Sequence, residues 1–127
     1  MKLKLGHLNI RNLLPKIDEI KQFTNQRHNT HIFGLCETVL TEMVTNDMIN
    51  IEDFTLERKD RCETRDKLGG RLAIYISNSL NHKRRNDLEV SNLESVWLQL
   101  DFNNTKSLLL CYVYRPPDMN QSWIDEF

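Results

Sequence analysis

The stretch Lys106 to Arg115 (KSLLLCYVYR) constrains the fold more than any other segment. Read with the two-residue period of a strand, Leu108, Leu110 and Tyr112 fall on one face and Leu109, Cys111 and Val113 on the other. A strand that is apolar on both faces reads as a central strand with a covering layer on each side. The chain must therefore build a layered α/β structure around it.

Its covering elements are legible upstream. Leu3 to Ile10 alternates in the strand manner, and Pro15 then sits where a first helical turn tolerates it, ahead of Ile17, Ile20 and Phe23 at helical spacing. The run His31 to Cys36 (HIFGLC) reads as a buried strand, and strand, helix, strand at this length predicts two parallel strands. A short helix is expected over Thr41 to Met48, then a strand at Phe54 to Arg58, a charged loop from Arg58 to Lys67, and the glycines Gly69 and Gly70. Strands follow at Arg71 to Ser77, weakly near Asp87 to Val90, at Ser95 to Phe102 and at Lys106 to Arg115, an antiparallel run. Asn103 and Asn104 supply the turn between the last two. Pairing Phe102 with Lys106 across it sets Glu94 opposite Tyr114, whereas a loop shorter by one residue would make the partner Val113.

At 127 residues, one domain or part of one is the expectation. With 17 Lys and Arg against 18 Asp and Glu, the formal charge of -1 excludes a polycationic nucleic-acid arm but leaves room for a local basic face. No apolar run approaches the ~20 residues of a membrane helix and no signal peptide is read in MKLKLGHLNIR, so the expected location is intracellular, nucleus or cytoplasm, with no membrane partner. Cys36, Cys62 and Cys111 lack the spacing of a disulfide framework or zinc cluster. His28 and His31 could be a zinc pair but read as helix-end solvation, and His7 and His82 stand apart.

If the first two strands are parallel neighbours, Asn9 and Glu37 arrive at one rim, the carboxyl end where open α/β sheets bind ligands. A carboxylate there suits Mg²⁺, while the plain reading makes Asn9 a turn cap and Glu37 a solvated strand end. Glu94 beside Tyr114 and Arg115 reads either as part of a phosphate-binding cluster or as an ordinary cross-strand polar pair. His82-Lys83-Arg84-Arg85 reads as a contact for a DNA backbone, a nuclear signal or a solvated loop.

Five segments in order carry a family resemblance: HLNIRNLLPKIDEIK (His7 to Lys21), GLCETVL (Gly34 to Leu40), Gly69-Gly70 followed by LAIYIS, ESVWLQL (Glu94 to Leu100) and YRPP (Tyr114 to Pro117). The chain resembles endonuclease/exonuclease/phosphatase domains, and among them the apurinic-type endonuclease of non-LTR retrotransposons of the jockey kind. The resemblance implies an enzyme that nicks one DNA strand with a divalent metal, Mg²⁺ or Mn²⁺. It implies that Asn9, Glu37, Glu94 and Tyr114 are active-site residues with Glu37 on the metal; the expected DNA contacts beside them are Arg11, Lys83, Arg84, Arg85 and Arg115. Two positions depart from the family pattern, Asn12 where a Ser is usual and Arg71 where a third glycine is usual.

The family's GDFN-like segment and its terminal SDH-like motif do not occur in these residues, and Asp101-Phe102-Asn103 and Asp118-Met119-Asn120 are in the wrong places to replace them. The expectation is thus the N-terminal half of a four-layer α/β sandwich whose C-terminal catalytic half is absent. It would be inactive alone, hold metal weakly, and bind DNA weakly and in a salt-sensitive way. The alternatives are a domesticated non-catalytic DNA- or protein-binding module, or a translated fragment without selected function. For the fold this predicts one mixed sheet with helices on one face and an uncovered apolar face opposite, which would drive dye binding, self-association or docking of the other half.

Overall fold

The computed structural model describes residues 2–26, 30–60, 71–90 and 93–114. Gly69, Gly70, Cys62, His28, Arg115, the rest of YRPP and Asp118-Met119-Asn120 lie outside the described residues.

The strand-then-helix opening forms as its pattern dictates. β1 is Leu5–Asn9, a 3₁₀ turn at Leu14–Lys16 carries Pro15, and α1 follows at Ile17–Gln26. Ile17 and Ile20, three apart on one helix face, are buried, whereas Phe23 is half exposed. β2, Ile32–Cys36, is buried at every residue and runs parallel to β1, with Asn9 beside Cys36. Both expectations for this unit hold. His31 is not simply solvated, because its Nδ1 accepts the Lys4 backbone N–H at 3.0 Å and so fastens the start of β1 to β2.

Next come β3, Phe54–Lys59, and β4, Leu72–Ser77, paired antiparallel. β4 also pairs antiparallel with β2, giving a four-stranded sheet of order β1-β2-β4-β3. Between β2 and β3 the expected helix is reduced to a 3₁₀ turn at Asn46–Ile49. β5 is Asn81–Arg84, a strand in the segment read as loop, while the weak strand expected near Asp87 to Val90 is a 3₁₀ turn at Asn86–Leu88 followed by irregular chain. β6, Glu94–Asp101, and β7, Leu108–Tyr114, form the expected hairpin, with Asn104 at φ 60° in its turn and Glu94 opposite Tyr114.

The α+β class is as expected, but the sheet count is not. β5, β6 and β7 form a separate three-stranded sheet of order β5-β6-β7. Two apolar clusters show how the layers stack. Phe33, Leu35, Ala73 and Tyr75 pack with Ile17, Ile20 and Leu13 on the α1 side of the first sheet. On its other side Ile32, Cys36, Leu72, Ile74 and Ile76 pack against Val96, Leu98, Leu100 and Tyr112 of the second sheet. The face expected to be uncovered is therefore covered, and by the chain's own last hairpin. A second correction concerns β7, which among the described residues is an edge strand and not a central one. Its inner residue Tyr112 is buried in the sandwich, while Leu109 on its outer face is exposed.

One close approach sets the distance between the sheets. A Cβ on Gly34, in the middle of β2, would lie 2.3 Å from Cδ1 and 2.4 Å from Cε1 of Tyr112. Only glycine lets that ring lie on the strand. The Tyr112 hydroxyl donates to the Gly6 carbonyl at 3.0 Å, and its ring stacks on His7 at 6.0 Å, so β7 is held over β1 and β2. No helix among the described residues is long and apolar enough to cross a membrane.

Candidate functional site

The rim beyond the ends of β1 and β2 is built by two loops running side by side. The parallel ladder continues past the strands through Ile10 N–H to Cys36 O at 3.0 Å, Asn12 N–H to Glu37 O at 2.8 Å and Leu13 N–H to Thr38 O at 2.9 Å. Holding both chains together requires unusual backbone. Arg11, Asn12, Glu37 and Val39 have φ of 53°, 107°, 54° and 56°. Four of the six non-glycine residues with positive φ among the described residues thus fall on this rim. For a β-branched residue such as Val39 that conformation is a true outlier, and each such residue costs on the order of 1–3 kcal/mol. Strained residues of this kind cluster at active sites and ligand clamps.

Four residues expected at the site meet here. Tyr114, at the end of β7, donates its hydroxyl to Glu37 Oε1 at 2.5 Å across 77 positions of sequence. Glu37 is held below the usual carboxylate range first by that hydroxyl, then by the Asn9 side-chain amide, with Arg11 adding attraction and burial opposing. The carboxylate is consequently ionised through the neutral range. The Tyr114 hydroxyl is pushed up by burial first and then by Glu37, with smaller contributions from Cys36 and Glu94, so it remains a donor. Glu94 faces Tyr114 in the β6–β7 register and its charge acts on both Tyr114 and Cys36. Asn9, Glu37, Tyr114 and Glu94 are thus gathered at one rim by four different strands.

A fully buried polar residue at this rim, Thr38, was missed by the sequence reading. Its backbone N–H donates to the Arg71 carbonyl at 3.3 Å, which ties the loop after β2 to the start of β4. Nothing in the residue type foretells this. Only its position next to Glu37 does.

The basic residues divide. Arg11 is exposed at the rim beside Glu37. Lys83 is exposed on β5, opposite Gln99. Arg84 is committed elsewhere: Nε and Nη2 donate to the two Glu89 oxygens at 2.9 Å each, and Nη1 donates to the Arg58 carbonyl at 2.8 Å and lies 3.6 Å from Glu57. It clips the second sheet to β3. Burial opposes ionisation of Glu89, yet Arg84 and the Trp97 N–H hold it below the usual range. Arg85 is likewise taken, by both Asp87 oxygens at 2.8 and 2.7 Å and by Gln99 at 2.8 Å. Both arginines are thus engaged by carboxylates within the chain. Asp101 sits at the other end of β6 from Glu94 and accepts from Gln99 and Ser107.

Among the described residues no group of three or more His, Cys, Asp and Glu side chains is placed to hold a metal ion. What the rim offers is one carboxylate kept ionised by neutral donors, with a second carboxylate near the same tyrosine. That donor set fits Mg²⁺, which keeps several waters and takes one or two carboxylates, better than it fits zinc. No family model matches the chain, and no curated protein matches it.

Proposed function

We propose that the chain carries part of a divalent-metal site for cleaving phosphodiester bonds in DNA, of the endonuclease/exonuclease/phosphatase kind found in non-LTR retrotransposons. The observation that carries the reading is the Tyr114 hydroxyl 2.5 Å from Glu37, with Asn9 on the same carboxylate. In this reading Glu37 anchors the cation, Asn9 and Tyr114 fix the direction of its carboxylate, Glu94 adds negative charge beside them, and Arg11 attracts the substrate phosphate. The cation, when bound, would neutralise charge on phosphate oxygens as a Lewis acid. An acid and base for water and leaving group are still required, and the GDFN-like and SDH-like strings that supply them in the family are not in these residues.

A second reading, a non-catalytic DNA- or protein-binding module, is favoured by one observation. The chain buries the inner faces of both sheets against each other. Fluorescence anisotropy with a labelled DNA duplex separates the two. The metal-site reading predicts weak, salt-sensitive binding that strengthens with Mg²⁺ and loses that increment in Glu37→Gln. Binding that is the same in EDTA, and indifferent to Glu37, would sink it and leave the module.

A further inference from the structure

At the rim end of the first sheet one row of residues runs Asn9, Cys36, Leu72, Lys59, each beside the next across β1, β2, β4 and β3. Asn9, at one end of the row, belongs to the site already described. Lys59 stands at the other end, with its side chain 24% exposed. Its ammonium crosses to the second sheet, where it donates to the Leu93 carbonyl at 3.0 Å and lies 3.8 Å from Glu89 Oε1. Leu93 is buried and immediately precedes Glu94, the first residue of β6.

Two contacts therefore fasten the sheets together at the level of the rim, one on each flank. On one flank the Tyr114 hydroxyl holds Glu37. On the other, Lys59 holds the peptide that leads into Glu94. Glu94 pairs with Tyr114 in the β6–β7 ladder, so the two contacts are joined through a single rung. A strand end opens easily unless something holds it, and an ammonium on a carbonyl is a charge-assisted bond, stronger than a neutral one. Lys59 is itself steadied by Glu89, whose oxygens also accept from Arg84 and the Trp97 N–H. Arg84 pairs opposite Leu98, farther down β6, and so does not duplicate the tie at Leu93.

We propose that Lys59 is a positioning residue for the rim: by holding the Leu93 carbonyl it fixes Glu94 and, through the rung between β6 and β7, seats Tyr114 on Glu37. This rests on the metal-site reading of the rim and adds a residue that touches neither cation nor substrate. Lys59 acts through Tyr114.

The test uses the full chain with ¹³C at Cζ of its three tyrosines, Tyr75, Tyr112 and Tyr114, a carbon whose shift follows hydrogen bonding of the hydroxyl. All spectra are taken at one neutral pH without metal. Glu37→Ala gives the position of the Tyr114 signal without its acceptor. Lys59→Met keeps the apolar stem and removes the donor, and it should move Tyr114 part of the way to that position. Tyr112, bonded to Gly6 on the other flank, should stay where it is. Lys59→Arg should restore the wild-type signal, and Lys59→Met placed in Glu37→Ala should move Tyr114 no further. Tyr75→Phe removes a buried bond to the Ile49 carbonyl and serves as the control for lost stability alone, which should leave Tyr114 unmoved. If Lys59→Met loses its dispersed spectrum, Lys59→Gln, with a shorter donor, is read in the same way.

Four results overturn the proposal: a Tyr114 signal that does not move when Lys59 is replaced, Tyr112 moving together with Tyr114, the same shift in Tyr75→Phe, or no restoration in Lys59→Arg. The second and third would make Lys59 a prop of the whole sandwich. Because no metal is used, failure here leaves the metal-site reading standing, and failure of Mn²⁺ to bind at Glu37 leaves the tie between Lys59 and Tyr114 standing.

Discussion

Replacing Gly34 by alanine tests whether the fold and the rim are coupled. The new Cβ would sit 2.3 Å from the Tyr112 ring, and ordinary contact begins at 3.4 Å, so ring and strand must separate by about 1 Å. Tyr112 is buried and its hydroxyl is bonded to Gly6, so the ring has no free rotamer to retreat into. Overpacking of this kind costs about 1–3 kcal/mol, and losing the Tyr112–Gly6 bond adds about 1 kcal/mol. Restricting the unfolded chain by a Gly to Ala change returns about 0.4–1 kcal/mol, which leaves a net loss of about 2 kcal/mol. Urea unfolding should show that loss as a lower midpoint at unchanged slope. Tyr112→Leu should relieve the clash, so the double variant should be more stable than the two single losses predict. Because Tyr112 and Tyr114 share a strand face, Gly34→Ala should also weaken the Tyr114–Glu37 contact. A loss under about 0.5 kcal/mol, or full additivity in the double variant, would refute the argument that Gly34 sets the sheet spacing.

Three further outcomes are expected. Tyr114→Phe removes the largest cause of the low Glu37 pKa, so the midpoint read from its carboxyl ¹³C shift should rise. The sign for stability follows: a depressed folded-state pKa contributes stability above the unfolded value, and that stability is lost as pH falls through the folded value. Tyr114→Phe should therefore flatten the acid limb of a stability-versus-pH curve, and an unchanged limb would contradict the assignment. Arg84→Ala leaves the half-buried Glu89 without its main partner and should cost about 3 kcal/mol, while the salt slope of any DNA binding stays the same. Supercoiled plasmid incubated with the 127-residue chain and Mg²⁺ should stay supercoiled, and conversion to open circle that vanishes in Glu37→Ala would show that another acid and base are present.

The legible part of this molecule is what period and turn chemistry control. Asn103 and Asn104 fix the β6–β7 register, which carries Glu94 to Tyr114, and the β1–α1–β2 unit brings Asn9 and Glu37 to one rim. The placement of β7 was not legible, because apolar residues on both faces record the need for burial without naming the neighbour. In β4 the same pattern does mark a central strand, while in β7 it marks an edge with an exposed apolar flank. β5 escaped notice because a charged edge strand of four residues has no apolar period to detect. The strained rim escaped as well, since Arg11, Glu37 and Val39 take positive φ with no glycine to announce it.

The most direct test of the proposed site uses Mn²⁺, whose unpaired electrons broaden nuclear resonances close to it. With the ¹⁵N-labelled chain and substoichiometric Mn²⁺, the account predicts loss of signal centred on Asn9, Glu37 and Tyr114, reversed by excess Mg²⁺ and absent in Glu37→Gln. Broadening that is absent, that centres elsewhere, or that persists unchanged in Glu37→Gln would contradict it.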